Sequence, residues 1–160
     1  MKNLRKNNEF AKRREEIIEQ ALNLFAGDHN CAQAVLCSFA GELEVDPSIL
    51  YRMASGFGAG MGRQQKTCGA LSGAYMVLGL VLGKVHDKEE IYNAVKKLSM
   101  AFSSEHGSTD CREILGYDLN KPGDYARAVA VDAFNKKCTT YIRDVIALIF
   151  EEISDSSKKY

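Results

Sequence analysis

Hydrophobic residues recur along this chain at helical spacing. From Glu9 onward, Phe10, Ile17, Ile18, Ala21, Leu22 and Phe25 fall on one helix face, with Arg13, Arg14, Glu15, Glu16 and Glu19 off it. Gly27 stops this segment, and Asp28-His29-Asn30 offers an N-cap for a second helix, CAQAVLCSFAGEL. Asp46-Pro47 starts a third, short one, with aspartate as cap and proline at the first helical position. Further on, Asp87 caps a helix whose stripe is Ile91, Ala94, Val95, Leu98 and Phe102. Residues 105–110 read as a turn that leads into Cys111, Ile114 and Leu115. Residues 116–124 read as loop and 125–134 as another short helix. A last amphipathic helix, with Ile142, Val145, Ile146, Ile149 and Phe150, begins just after Cys138.

One segment departs from this two-faced pattern. Between residues 70 and 82 the polar groups are Ser72 and the Tyr75 hydroxyl, and apolar residues occupy every face. A helix apolar all round is a buried helix. The pattern therefore predicts an all-α fold: a compact bundle of about six to seven helices packed around a central one over residues 69–83. No segment alternates with strand period strongly enough to compete, and no internal repeat is visible. The expected organisation is a polar, disordered segment over 1–8, one helical domain over 9–153 and a solvated tail over 154–160.

Composition narrows the partners. Lys plus Arg total 21 and Asp plus Glu total 21, so no net field favours nucleic acid or an anionic membrane. The basic N-terminus lacks the apolar core of a secretory signal, and the 70–83 run is too short and glycine-interrupted to cross a bilayer. The expectation is a cytoplasmic protein with no membrane insertion. In that reducing setting its 5 cysteines point to metal binding, reactivity or packing rather than disulfide staples.

Four of the cysteines lie at or beside an expected helix start: Cys31, Cys68, Cys111 and Cys138. Helix N-termini carry unpaired N–H groups and the positive end of the macrodipole, so the expectation is thiols of lowered pKa, suited to ligation or attack. Cys37, between Leu36 and Ser38 in mid-helix, reads as packing. The glycine-dense run SGFGAGMGRQQKTCG leads up to Cys68 and matches neither a Walker A nor a dinucleotide-binding fingerprint. Glycines at 69 and 73 allow neighbouring backbone to approach the buried helix closely. Arg63 and Lys66 flank the approach to Cys68, where their charge could offset that of a bound group, and His29 lies near Cys31 as a candidate alternative ligand. His86 and His106 read as turn residues.

The segment Cys68-Gly69-Ala70-Leu71-Ser72-Gly73 resembles the signature of the redox-active protein family named for its C_GCAxxG_C_C cysteine pattern. Cys31 in NCAQAVL takes the first cysteine position, Cys68 the signature position, Cys111 with Leu115-Gly116 the third, and Cys138 the fourth. Thr67 stands where the pattern has glycine before the cysteine. The resemblance implies a four-cysteine redox or metal site in a small helical protein. It also implies an iron–sulfur cluster, since a similar arrangement in the non-haem portion of split-Soret-type cytochromes is associated with such a centre. No haem-attachment signature accompanies it here.

Three readings of this site compete. One is a Cys31/Cys68/Cys111/Cys138 iron–sulfur centre for electron transfer or redox sensing, with Gly69 and Arg63 as further cofactor contacts. The second is a metal-free thiol–disulfide oxidoreductase, and the third a structural Cys₄ zinc site. The redox partner is undefined, and a homodimer shielding the centre stays open.

Overall fold

A computed structural model describes residues 2–157, with side chains over 8–155. Among these residues the fold is all-helical, with a single isolated bridge, Thr67 to Asp110, and no sheet. The helices are α1 (Lys2–Ala26), α2 (Cys31–Ser38), α3 (Ala40–Leu43), α4 (Pro47–Ala54), the single turn α5 (Gly58–Met61), α6 (Gly69–Leu82), α7 (Lys88–His106), α8 (Cys111–Leu115), α9 (Pro122–Ala130) and α10 (Thr139–Ser157). None of them is long and apolar enough to cross a membrane. The one-turn segments α3 and α5 are too short to leave a periodic trace in sequence.

Helix α6 is central. It packs against α2, α7 and α10, while α1 lies against α2 and α10. Its first half is buried on all sides, whereas Tyr75, Met76, Leu80 and Val81 near its end are half-buried and Gly79 is exposed. Contact with α2 depends on Gly73: a Cβ there would sit 2.8 Å from the Ala32 carbonyl oxygen and 2.9 Å from Val35 Cβ. The core around α6 includes Ile17, Leu36, Leu71, Leu78, Leu98 and Ile146. A second, smaller cluster of Leu115, Leu119, Ala128 and Ala133 lies under α8 and α9.

Several helix starts follow the expected chemistry. Asn30 and Gln33 form a reciprocal capping box at α2, as Asp87 and Glu90 do at α7, and Asp46 caps α4 ahead of Pro47. Other boundaries differ. Helix α1 begins at Lys2, ahead of the apolar stripe, and α10 continues to Ser157; Met1 and residues 158–160 lie outside the described residues. The helix expected from Cys31 through Leu43 breaks at Phe39, which caps α2 and starts α3. Pro122 opens α9 at its first position, so the segment read as loop to residue 124 is helical earlier, and α9 ends at Ala130. Glu105 and His106 close α7 and are not a turn; Gly107, with φ +85°, ends the helix.

Candidate metal centre

The run from Ser55 to Thr67 is an ordered, left-handed path. After a 3₁₀ turn over Ser55–Phe57, Ala59, Met61, Arg63 and Gln65 all take positive φ between 51° and 67°, as do Gly60 and Gly62. Such conformations cost non-glycine residues about 1–2 kcal/mol each, so surrounding contacts must hold them. Those contacts are visible. The Lys66 N–H donates to the Gly60 carbonyl at 3.1 Å, Cys68 N–H to Thr109 at 2.8 Å, and Cys111 N–H to the Lys66 carbonyl at 2.8 Å. This short bridge ties the start of α6 to the start of α8 and fixes Cys68 relative to Cys111.

Gln65 continues the tie. Its buried side chain donates from Nε2 to the Tyr117 carbonyl at 2.7 Å, and its Oε1 accepts from the Leu119 N–H at 2.7 Å. Asn30 performs the equivalent task at the other end. Besides capping α2, its Nδ2 donates to the Ser55 carbonyl at 3.1 Å, holding the glycine run beside Cys31. Two glycines then make room for sulfur. A Cβ on Gly69 would lie 2.4 Å from Cys31 Sγ, and one on Gly60 would lie 2.7 Å from Cys111 Cβ.

The result is one cavity of about 170 Å³ onto which Cys31, Cys68, Cys111 and Cys138 all face. Gly69 and Ala70 line it too, and Phe25, Ile114, Leu115, Leu119, Phe134 and Tyr141 supply an apolar wall. It lies between the two hydrophobic clusters, sharing Ile114 and Tyr141 with one and Leu119 and Phe134 with the other. Cys31, Cys68 and Cys111 are buried and Cys138 is half-buried. Cys37 is buried but does not line the cavity. Among the described residues, no three of the four facing sulfurs lie within 4.8 Å of one another.

Helix starts account for three of the four positions. Cys31 and Cys111 are first residues of α2 and α8, and Cys68 is the N-cap of α6. Cys138 is different: residues Phe134–Cys138 form a π-helical turn that runs directly into α10, so no free N-terminus is present there. Asp110 occupies the N-cap position of α8 without a side-chain capping bond.

The expected lowering of thiol pKa does not occur. Burial raises all four. On Cys31 the N–H groups of Ala59, Ala32 and Ala70 act in the opposite direction without overcoming it, and those of Ala70 and Leu71 do the same on Cys68. Charge on neighbouring thiols adds to the rise; Cys111 is pushed up to about 12 by burial, then by Cys31 and Asp110. Cys138 rises through burial and then through Cys31, Cys68 and Cys111, with only Lys137 opposing. The helix-terminus effect is present in sign, but desolvation is larger.

Among the residues singled out in sequence, Gly69 stands at the cavity. Arg63 does not line it; its guanidinium lies over the Tyr125 ring at 5.6 Å from the centroid. His29 packs edge-on against Tyr51 at 5.0 Å and is not a lining residue. Lys66 contributes through its backbone. Three supporting side chains escaped the sequence reading. Gln65 looks like any polar loop residue, and no local signal marks it. Lys137 Nζ donates to the Leu115 carbonyl at 2.9 Å, closing the end of α8. Tyr141 donates to the Ile114 carbonyl at 2.7 Å. Tyr141 follows Cys138 by three positions, on the same helix face, which is a readable signal.

Fold and site together define a small all-helical protein built around four converging thiols. A family model described as "Putative redox-active protein (C_GCAxxG_C_C)" matches residues 29–153, and the chain belongs to that family. No curated protein and no solved structure matches the chain.

Proposed function

We propose that this protein holds an iron–sulfur cluster on Cys31, Cys68, Cys111 and Cys138 and uses it to exchange electrons with a redox partner. The observation that carries this reading is the convergence of four thiols, from four separate elements, on an apolar cavity wider than one ion requires. A tetrahedral zinc ion with Zn–S bonds of about 2.3 Å draws its sulfurs to about 3.8 Å from one another. Here no three of the four sulfurs lie within 4.8 Å among the described residues. A cavity of about 170 Å³ is also comparable to the roughly 150 Å³ apolar cavity that accepts benzene, far more than a single ion fills. A polynuclear cluster, whose thiolates are distributed over more than one iron, spreads the sulfurs apart and occupies that space.

Thiol–disulfide exchange fits less well. It needs an accessible attacking thiol of lowered pKa, whereas these thiols are largely buried and raised. When bound, a cluster supplies one-electron redox chemistry at a potential set by burial and hydrogen bonding. The chain's own contribution is to exclude water with the apolar wall and to aim the Ala59, Ala70 and Leu71 N–H groups toward Cys31 and Cys68. Cys138, the most exposed of the four, marks the side from which electrons pass to a partner. Arg63 adds positive charge outside the cavity on the glycine-rich run.

The test uses single alanine variants of Cys31, Cys68, Cys111 and Cys138, with Cys37→Ala as control, all purified without oxygen. Each of the four should lose at least half of the bound iron, and Cys37→Ala should keep it. Undiminished iron in Cys68→Ala would contradict the assignment.

A further inference from the structure

We propose that Glu105, His106 and Asp144 form a second site, separate from the cysteine cavity, for a first-row divalent transition-metal ion. Glu105 and His106 end α7, and Asp144 comes from α10 across the helix interface. One ligand atom from each lies within 4.8 Å of the other two.

His106 is the key observation. Its Nε2 is buried and makes no well-aligned hydrogen bond, an expensive state for a polar nitrogen. Asp144 Oδ2 lies 3.2 Å away but off the line that an N–H···O bond needs. That spacing suits two atoms sharing a metal: bonds of about 2.0–2.1 Å at right-angle or tetrahedral geometry separate neighbouring ligands by about 2.8–3.4 Å. The ring is also fixed before any ion arrives, packed between a tilted Phe102 ring at 4.4 Å and an edge-on Tyr141 ring at 4.9 Å.

Local charge favours a cation. Two carboxylates, those of Glu105 and Asp144, converge on the imidazole. The negative end of the α7 macrodipole points at the same place. Glu105 is exposed, which gives an ion a way in and leaves coordination positions open to water. One imidazole with two carboxylates selects zinc, iron, cobalt or manganese over the harder magnesium and calcium. The site sits one ring away from the cluster cavity, since Tyr141 touches His106 on one side and lines the cavity on the other.

Cobalt(II) is the probe. Thiolate-bound cobalt shows an intense sulfur-to-metal charge-transfer band, whereas imidazole and carboxylate ligands give only weak visible bands, so the two sites are distinguished in one titration. Wild-type protein should bind one equivalent of Co²⁺ without a charge-transfer band. Asp144→Asn and His106→Gln should each weaken that equivalent at least about tenfold. Cys68→Ala should leave it unchanged. Asp144→Asn is close to isosteric and its thermal midpoint, measured without metal, serves as the folding control. Wild-type protein that binds no cobalt beyond the thiolate-bound fraction overturns the proposal whatever the variants do, and so does equal affinity in Asp144→Asn.

Discussion

At the scale of single residues, the site depends as much on missing atoms as on sulfur. Gly69 follows Cys68 and faces Cys31, and the absent Cβ is what admits the Cys31 sulfur. Gly69→Ala would place carbon 2.4 Å from Cys31 Sγ and 2.9 Å from the Phe57 carbonyl, a backbone group that cannot swing aside. The expected outcome is a stability loss of about 1–3 kcal/mol and a fall of at least half in bound iron, with helical circular dichroism retained. Chemical denaturation and iron analysis check it, and full iron at wild-type stability would speak against the packing. The signature was readable as sequence because its cysteine and glycines are adjacent. The reason for Gly69 was not, because its neighbour is Cys31 on another helix.

At the scale of elements, capping chemistry and apolar stripes were legible because both act over one or two turns. Asn30, Asp46 and Asp87 all sit where their side chains make them caps. Elements held by distant partners were not legible. The glycine run bends left-handed because Asn30, Thr109 and Cys111 hold it, and α8 is positioned by the bridge to Lys66. Cys138 sits in a π-turn that nothing in its local sequence announces. Gln65 is the clearest case, a buried amide that satisfies two backbone groups more than fifty residues away. Gln65→Leu keeps the volume but leaves the Tyr117 carbonyl and the Leu119 N–H unpaired. It should cost about 2–4 kcal/mol in denaturant titrations and speed amide exchange at Leu119. A change under 0.5 kcal/mol would show that water replaces the amide at no cost.

At the scale of the whole molecule, the buried thiols couple stability to pH. Without metal, the folded-state thiol pKa values stand above the unfolded value of about 8.5. Metal-free stability is therefore complete below about pH 8.5 and declines as pH rises through the folded values, because the unfolded chain releases those protons first. Loaded protein should behave in the opposite sense on the acid side. Ligation requires thiolates, so acid drives protons back onto sulfur and releases the bound group. Thermal midpoints of metal-free and loaded protein across pH 5–10 check both signs. Parallel curves would mean that the thiols are not the ligands.

The all-helical architecture was legible as a whole because α6 has no polar face and every other long helix has one. Convergence of the four thiols was not, since long gaps separate them and only the packing of α2, α6, α8 and the π-turn brings them to one cavity.

The most direct measurement is the absorption spectrum of wild-type protein purified without oxygen, read together with iron, zinc and acid-labile sulfide content. The expected result is broad visible absorption that bleaches on reduction, with iron and sulfide present in matching amounts and zinc absent from the four-cysteine cavity. A colourless protein with one zinc bound by the four cysteines, or with four free thiols and no metal, would contradict it.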